Sequence, residues 1–186
     1  MTVYSLRKIL LESYPILVLA AALSLTAGFV LNSQIESIKT LPLILMMVPP
    51  INGINNNVSS ILGSRLASAL NLGTIESKFR EQTSLSMNIT ASLLMSIGVF
   101  LFTSAIFFSL ALVAGMGIYR SAMIMIGFFI ASMVAIAVTM MLTVILAFLS
   151  FARGVDPDNI VIPIVTSAGD MVGVTCLIIA IKIVGV

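Results

Sequence analysis

A single carboxylate lies deep inside an apolar segment near the end of the chain. Asp170 falls within Ile160–Val184, a stretch that is long enough to cross a bilayer as a helix. A charged side chain at that depth costs about 3 kcal/mol on insertion scales unless water or a partner compensates it. An acidic residue in such a place indicates function, and its negative charge indicates that it binds a cation.

Residues that carry or expose oxygen atoms share one helix face with Asp170. The face is formed, at spacings of four, three, four and three residues, by Asn159, Pro163, Thr166, Asp170 and Gly173. Asn and Thr supply oxygen ligands, and glycine allows close approach. Pro163 lies too deep to be a first-turn proline, so it predicts an interruption of the helix that exposes a backbone carbonyl.

Two further acids stand just before this face. Asp156 and Asp158 flank Pro157, and Asp156 lies about 21 Å from Asp170 at 1.5 Å per helical residue. The acids therefore mark a line from the mouth of the segment to its interior. Carboxylates are also favoured at the positive end of a helix, so capping is a second role, which does not exclude ion binding.

A second polar cluster lies in another apolar stretch, earlier in the chain. Four asparagines fall within six positions, namely Asn52, Asn55, Asn56 and Asn57. They are costly in lipid unless they line a cavity or contact protein. The Pro49-Pro50 pair and Gly53 predict a break in the helix at this point. Beyond it, a face suited to close helix packing contains Ser60, Gly63, Ser64 and Ala67. A polar packing seam is the alternative interpretation.

The available ligands are hard oxygen atoms. The chain has no His and a single Cys, Cys176, which excludes intramolecular disulfides, zinc fingers and catalytic pairs built on His or Cys. Oxygen ligands favour Mg²⁺ or a similar divalent ion over copper or zinc. Because Mg²⁺ loses its waters reluctantly, few carboxylates and many neutral oxygens suit a hydrated ion.

The composition requires a membrane. Of 186 residues, 60% are hydrophobic and 9% are charged, whereas soluble domains carry about 25% charged residues. The net charge of +2 is too small and too scattered to indicate nucleic-acid binding. We therefore expect an all-α integral membrane protein, with residues 1–186 forming one transmembrane domain. Its five predicted spans are Pro15–Leu31, Leu41–Leu70, Met87–Ala114, Ser121–Phe151 and Ile160–Val184.

Basic residues predict the orientation of the spans. With the N-terminus inside, the cytoplasmic side receives six of them, Arg7, Lys8, Arg65, Lys78, Arg80 and Arg153, and the outside receives Lys39, Arg120 and Lys182. This excess favours an N-in, C-out topology. The apolar run after Arg7 and Lys8 is interpreted as an uncleaved first span, not as a signal peptide. An interfacial helix is predicted over Thr2–Ser13.

Two segments resemble signatures of the SLC41/MgtE family of magnesium transporters and channels. Asn56–Gly73 resembles the Gly-Asn…Ser-Arg-Leu-Ser-Thr…Asn-x-Gly signature of the family's second helix. Asp156–Asp170 resembles the fifth-helix Asp-Pro-Asp-Asn…Pro…Gly-Asp signature, with the family's spacing. Arg80-Glu81 fits a basic-acidic pair that opens the third span. Asn56 replaces the signature Gly, and Ser59 stands where eukaryotic members have a carboxylate.

The resemblance implies roles for these residues. Asp170 would be the central pore carboxylate for hydrated Mg²⁺, with Thr166 facing the pore one turn earlier and Asp156 near the cytoplasmic mouth. The chain would correspond to one repeat of the eukaryotic carriers, without the CBS domains of the bacterial branch, so it implies a homodimer with two copies of Asp170 at one pore. The expected metal ligands are Asp170, Thr166, Asn57, Asp156 and Asn159. The expected pore lining is Asn52, Asn56, Ser60, Gly63, Pro163, Ser167 and Gly173.

Two other classes stay open from the sequence. A structural or accessory membrane subunit would use the polar clusters as packing seams. Gly169-Asp170 suggests an intramembrane aspartyl protease, but that mechanism needs two facing carboxylates, and no second acid lies at membrane depth in the sequence. Ser167 also breaks the presenilin-type Gly-x-Gly-Asp pattern. The sequence therefore favours a non-enzymatic transporter or channel for divalent cations, multi-pass in the cell membrane, with a second copy of itself as its partner.

Overall fold

The structure, a computed structural model, describes residues 6–33, 42–75 and 83–184. Its regular structure in these ranges is entirely α-helical. The helices are α1 (Leu6–Ser33), α2 (Pro42–Asn71), α3 (Thr83–Val113), α4 (Ile118–Ala152) and α5 (Pro157–Val184). Each predicted span coincides with one of these helices, and the prediction of five helices in an all-α fold is confirmed. Lys39, Lys78 and Arg80-Glu81 lie outside the described residues, and the N-in, C-out orientation stays a prediction.

Four of the helices are long and apolar enough to cross a membrane: α1 over Ser13–Ser33, α3, α4 and α5. These helices support the prediction of a multi-pass membrane protein. The remaining helix, α2, carries the asparagine cluster, which lowers its hydropathy. It is enclosed instead, because it packs against α3, α4 and α5. Protein therefore surrounds the most polar helix on three sides.

The helices α1 and α2 lie on different sides of α5. Helix α5 packs against α1, α2 and α4, whereas α1 packs against α5 alone among the described helices. The backbones of α1 and α2 do not touch each other. Along α2, Asn55 meets Thr139 and Gly63 lies beside Thr143, so α2 and α4 run parallel. The second and fourth helices should be parallel when consecutive helices cross the membrane in opposite directions.

An apolar core holds α2, α3 and α4 together. Phe128 of α4 packs between two aromatic rings of α3, with its centroid 6.3 Å from that of Phe100 and 4.9 Å from that of Phe107. Leu62 and Leu66 of α2 are fully buried in the same cluster. This core anchors one side of α2 and leaves its asparagine side to meet α5.

The predicted interruptions of the second and fifth helices are wrong. Helix α2 continues through Pro49, Pro50 and Gly53, and α5 continues through Pro163. Proline has a helical φ but lacks an N–H and crowds the carbonyl four residues earlier. Membrane helices tolerate it where packing against neighbouring helices holds the backbone. Near this turn the hydroxyl of Thr166 bonds back to its own helix, with the carbonyl of Ile162 at 2.9 Å and that of Pro163 at 3.1 Å as its acceptors.

The interfacial helix predicted over Thr2–Ser13 is helical from Leu6 onward and continuous with the first span, and its position at the membrane interface stays a prediction. From Leu6 the backbone is one continuous helix to Ser33, and it passes through Pro15 without a break. A single proline near the start of a long helix removes one donor and does not end it. Residues 2–5 lie outside the described part of the chain.

Glycines end three of the long helices, at Gly73, Gly115 and Gly154, and the last two make short turns to the next helix. Gly115 and Gly154 have φ values of 76° and 70°, in the left-handed region that glycine adopts without strain. After each glycine the chain bonds back to the helix, by Met116 N–H to the Ala111 carbonyl and by Val155 N–H to the Ser150 carbonyl, both 3.1 Å. These are Schellman caps. The second one delivers the chain directly to Asp156 and the start of α5.

Candidate functional site

The carboxylate of Asp170 is bound by an amide from another helix. Asn56 Nδ2 of α2 donates to Asp170 Oδ1 at 2.8 Å, and Asp170 is half-buried. Within the described residues no Lys or Arg forms an ion pair with this carboxylate, and no second acid faces it. One oxygen is therefore held by a neutral donor, and the negative charge stays uncompensated. Two structural alternatives to ion binding were open for Asp170, an interhelical hydrogen bond and a pair with Arg. The first is present, from Asn56, and the second is absent among the described residues.

Asparagines of α2 lie against glycines of α5 in two successive turns. Asn52 meets Gly173 and Asn56 meets Gly169, so the two helices run antiparallel. A Cβ on either glycine would collide with the facing side-chain oxygen. Asn52 Nδ2 also reaches the backbone carbonyl of Asp170 at 3.4 Å, which is a long bond. The side-chain oxygens of both asparagines are buried without a hydrogen-bond partner. The glycines thus let α2 approach α5 closely enough for its amides to reach Asp170.

Behind this contact, a buried polar cluster joins α2 to α4. Thr139 Oγ1 donates to Asn55 Oδ1 at 2.7 Å, and Ser59 Oγ donates to Thr139 Oγ1 at 3.1 Å. All three residues have 0% exposure. The sequence analysis did not select Thr139. The signal that could have found it is the pair of hydroxyl residues Thr139 and Thr143, spaced four apart in a strongly apolar helix.

The polar face of α5 occupies the gap between α1 and α2. Gly169 contacts α2, and Met171 contacts α1 through Thr26, whose hydroxyl lies 3.6 Å from the Met171 sulfur. Asp170 projects between these two directions, because successive residues are 100° apart on a helix. The uncovered face, which we call the α5 polar stripe, consists of the half-buried residues Asn159, Pro163, Thr166 and Asp170. The structure therefore places four of the five residues of the predicted face along a groove between α1 and α2, whereas the fifth, Gly173, is covered by Asn52.

An apolar cluster covers α5 immediately beyond Asp170. Val174, one turn further along, is buried with Ile44 of α2 and Ile178. Val30 and Leu31 at the end of α1 pack against the same cluster. The α5 polar stripe is thus uncovered as far as Asp170, and apolar side chains cover α5 beyond Asp170.

The remaining predicted ligands of α5 lie along the stripe or at its start. The hydroxyl of Thr166 is one turn before Asp170, and its oxygen retains lone pairs while its proton goes to α5 carbonyls. Asp156 caps the helix, since its Oδ1 accepts from Asp158 N–H at 3.2 Å and its carbonyl accepts from Asn159 N–H at 3.1 Å. The capping role is confirmed. Asp156 and Asn159 are not brought to Asp170 within one chain, because about 16 to 21 Å of helix separates them.

On α2, the structure brings Asn56 and not Asn57 to Asp170. Asn57 is exposed, one residue and about 100° further round the helix. It belongs to an uncovered row of small and polar residues beside α5, formed by Gly53, Asn57, Ser60 and Ser64. We call this row the α2 polar stripe. It continues the surface of the α5 polar stripe across the groove.

Three predicted pore-lining residues are buried between helices. Gly63 lies against Val161 and Thr143, with a Cβ at this position 3.0 Å and 3.5 Å from their side chains. Ser167 is 7% exposed, and Gly173 is covered by Asn52. Their role at a pore stays a prediction.

The site combines one carboxylate with several neutral oxygens. Among the described residues, no three His, Cys, Asp or Glu side chains come together in a form that could hold a metal ion directly. A single carboxylate beside hydroxyl and amide groups suits an ion that keeps most of its waters and leaves again easily. Such an arrangement can bind a hydrated divalent cation weakly and release it again.

Comparison with known proteins matches the chain to a family of divalent cation transporters. A family model described as "MgtE: Divalent cation transporter" matches residues 48–180, which run from α2 to α5. The chain is also similar to "Solute carrier family 41 member 3" of Rattus norvegicus, with 27% identity over 165 residues, 82% of this chain and 34% of that protein. The chain thus spans about a third of the length of the curated relative that it matches.

Proposed function

The chain belongs to the MgtE divalent cation transporter family, and from that premise we propose that it passes Mg²⁺ across the membrane with Asp170 as the central ligand. The observation that carries this proposal is the half-buried carboxylate of Asp170, which no cation of the described chain neutralises. A charge in that position is expensive unless an ion or water compensates it. The uncovered groove in front of it gives a hydrated cation access.

The ion is held mainly through its waters. Asp170 contributes the charge, Asn56 orients its carboxylate, and Thr166 offers an oxygen one turn earlier. Mg²⁺ fits this donor set because it prefers hard oxygen ligands and keeps several waters. Asp156 and Asn159 attract the ion at the start of α5, on the cytoplasmic side of an N-in, C-out chain. Mn²⁺ and other divalent ions of similar size use the same path.

Two copies of the chain complete the pore. Gly53, Asn57 and Ser64 of the α2 polar stripe are exposed within one protomer, and lipid cannot bind the amide of Asn57 or compensate the charge of Asp170. A two-fold axis along the groove pairs each stripe with its copy and brings two Asp170 side chains to one path. Asn57, which points away from Asp170 in its own protomer, then faces the pore.

Cation flux into proteoliposomes tests the proposed function. With an indicator enclosed, we expect Mg²⁺ entry well above that of protein-free vesicles, and entry that saturates with Mg²⁺ concentration. Parallel gradients of Mn²⁺, Ca²⁺ and Na⁺ define the selectivity, and Na⁺ alone should give no comparable flux. If no divalent cation enters faster than into protein-free vesicles, the proposal is wrong.

Cysteine crosslinking tests the two-fold arrangement. Cys176→Ser removes the single cysteine, and Asn57→Cys then places one thiol on the α2 polar stripe. Because this stripe lies at the proposed axis, we expect oxidation in the membrane to give a covalent dimer. Leu94→Cys, on the exposed surface of α3 (63% exposed), is the matched control and should stay monomeric. Equal crosslinking at both positions would exclude the proposed interface.

A further inference from the structure

Asn55, Ser59 and Thr139 form a polar cluster that is buried between α2 and α4 and joined by side-chain hydrogen bonds. Thr139 has one hydroxyl proton, and its shortest acceptor is Asn55 Oδ1 at 2.7 Å; two carbonyls of its own helix lie at 3.1 and 3.2 Å. Ser59 completes the cluster by donating to the same hydroxyl. A single side chain of α4 therefore binds two successive turns of α2.

These bonds fix the rotation of α2 about its own axis, which the apolar contacts do not fix. Contacts among Leu, Ile and Ala side chains are not directional, so they tolerate small rotations of a helix about its axis. A hydrogen bond loses strength steeply when it is misaligned. Moving α2 by one residue position turns it by 100°, which would carry Asn56 away from Asp170. The bonds of Thr139 oppose such a rotation.

Asn55 also extends the cluster to α5. Its amide nitrogen is buried without a hydrogen-bond partner and lies 3.1 Å from the place where a Cβ on Gly169 would stand. Gly169 directly precedes Asp170. The amide of Asn55 is thus fixed at one end by Thr139 of α4 and abuts α5 at the other, so its position depends on both helices.

From this geometry we infer that Thr139 is a positioning residue for the ion site: it holds α2 in the rotation that presents the amides of Asn52 and Asn56 to Asp170, and so sets the affinity for the divalent cation. The inference deepens the proposed function and rests on it. Thr139 itself touches neither the groove nor the carboxylate. It acts through Asn55 on the same stretch of α2 that carries both amides.

Three substitutions separate positioning from packing. Thr139→Val keeps the shape and removes the hydroxyl, and we expect the half-saturating Mg²⁺ concentration to rise at least about threefold, more than the maximal flux falls. Thr139→Ser keeps the hydroxyl and should restore wild-type affinity. Thr143→Val is the matched control, because the Thr143 hydroxyl donates only to the Thr139 carbonyl of its own helix. A merely structural role would reverse the order of Val and Ser, or lower maximal flux alone, and would overturn the inference.

A second measurement reports the rotation of α2 without transport. In the Cys176→Ser background, Asn52→Cys and Gly173→Cys place two thiols at a helix contact close enough for a disulfide. We expect Thr139→Val to slow the formation of this disulfide at least about threefold, and Thr143→Val to leave it unchanged. An unchanged rate in Thr139→Val contradicts the inference even if no cation flux is found. A slowed rate without any wild-type flux would instead refute the proposed function alone.

Discussion

Replacing Asp170 by Ala should lower Mg²⁺ flux at least about tenfold, the equivalent of about 1.4 kcal/mol in the transport barrier. Asp170 supplies the only carboxylate of the groove at membrane depth in the described chain, so its loss removes the charge that offsets the dehydration and transfer of a divalent ion. Flux into proteoliposomes, normalised to the amount of reconstituted protein, measures the effect. The same loss is expected for Asp170→Asn, which keeps an oxygen to accept from Asn56 but removes the charge.

The fold should survive these substitutions. Asp170 accepts one side-chain hydrogen bond, from Asn56, which Asp170→Asn can keep and Asp170→Ala removes. We therefore expect an unchanged elution volume for both variants, and an unfolding midpoint in detergent close to wild type for Asp170→Asn and slightly lower for Asp170→Ala. Asp158→Asn removes the same charge from an exposed first-turn position of the same helix, and its flux should stay within about threefold of wild type. Wild-type flux in Asp170→Ala would refute the central role of this carboxylate, and loss of the dimer would support a structural subunit instead.

Replacing Gly173 by Ala should destabilise the contact between α2 and α5. The added Cβ collides with Asn52 Oδ1 and lies 3.4 Å from Asn52 Cγ and 3.8 Å from Ile51. The side chain of Asn52 is flexible and can rotate away, and in doing so it gives up its long bond to the Asp170 carbonyl. Overpacking of this kind costs about 1–3 kcal/mol, and it separates the helices at the turn that carries Asp170. Thermal unfolding in detergent and Mg²⁺ flux should both decrease.

A compensating substitution makes this prediction specific. Asn52→Ala removes the atoms that the new methyl group meets, so the double variant with Gly173→Ala should recover stability to within about 0.5 kcal/mol of Asn52→Ala alone. Gly98→Ala is the control, because a Cβ on Gly98 of α3 meets nothing within 4 Å. There the gain in helix propensity should keep or raise stability. If Gly173→Ala is as harmless as Gly98→Ala, the close approach of α2 and α5 is not as described.

The sequence predicted the elements better than their contacts. Apolar length alone located the five helices, and the spacing of Asn159, Thr166 and Asp170 correctly predicted one shared face. Both inferences use only local periodicity, which backbone geometry imposes. The continuity of α2 through Pro49 and Pro50 was missed, because whether a proline interrupts a helix depends on the packing around it.

The hydrogen-bond partner of Asp170 could not be predicted from the sequence, for a different reason. Asn56 and Asn57 are the same residue type in adjacent positions, and only the rotation of α2 decides which one meets α5. That rotation depends on contacts with other helices, including the bond between Asn55 and Thr139, residues 84 positions apart in the chain. No local pattern contains this information. The family resemblance pointed to Asn57, which lies at the ion path only in the proposed two-fold arrangement.

The low hydropathy of α2 has a consequence for how the protein is made. The helices that enclose its asparagine side, α4 and α5, are synthesised after it. When α2 first leaves the ribosome, its amides have neither Thr139 nor Asp170 to bind, and lipid offers no substitute. We therefore expect stable insertion of α2 to depend on the arrival of the C-terminal helices. The proposed ion path would then be assembled last, and a chain that stops before α5 would lack the helix that binds the asparagine side of α2.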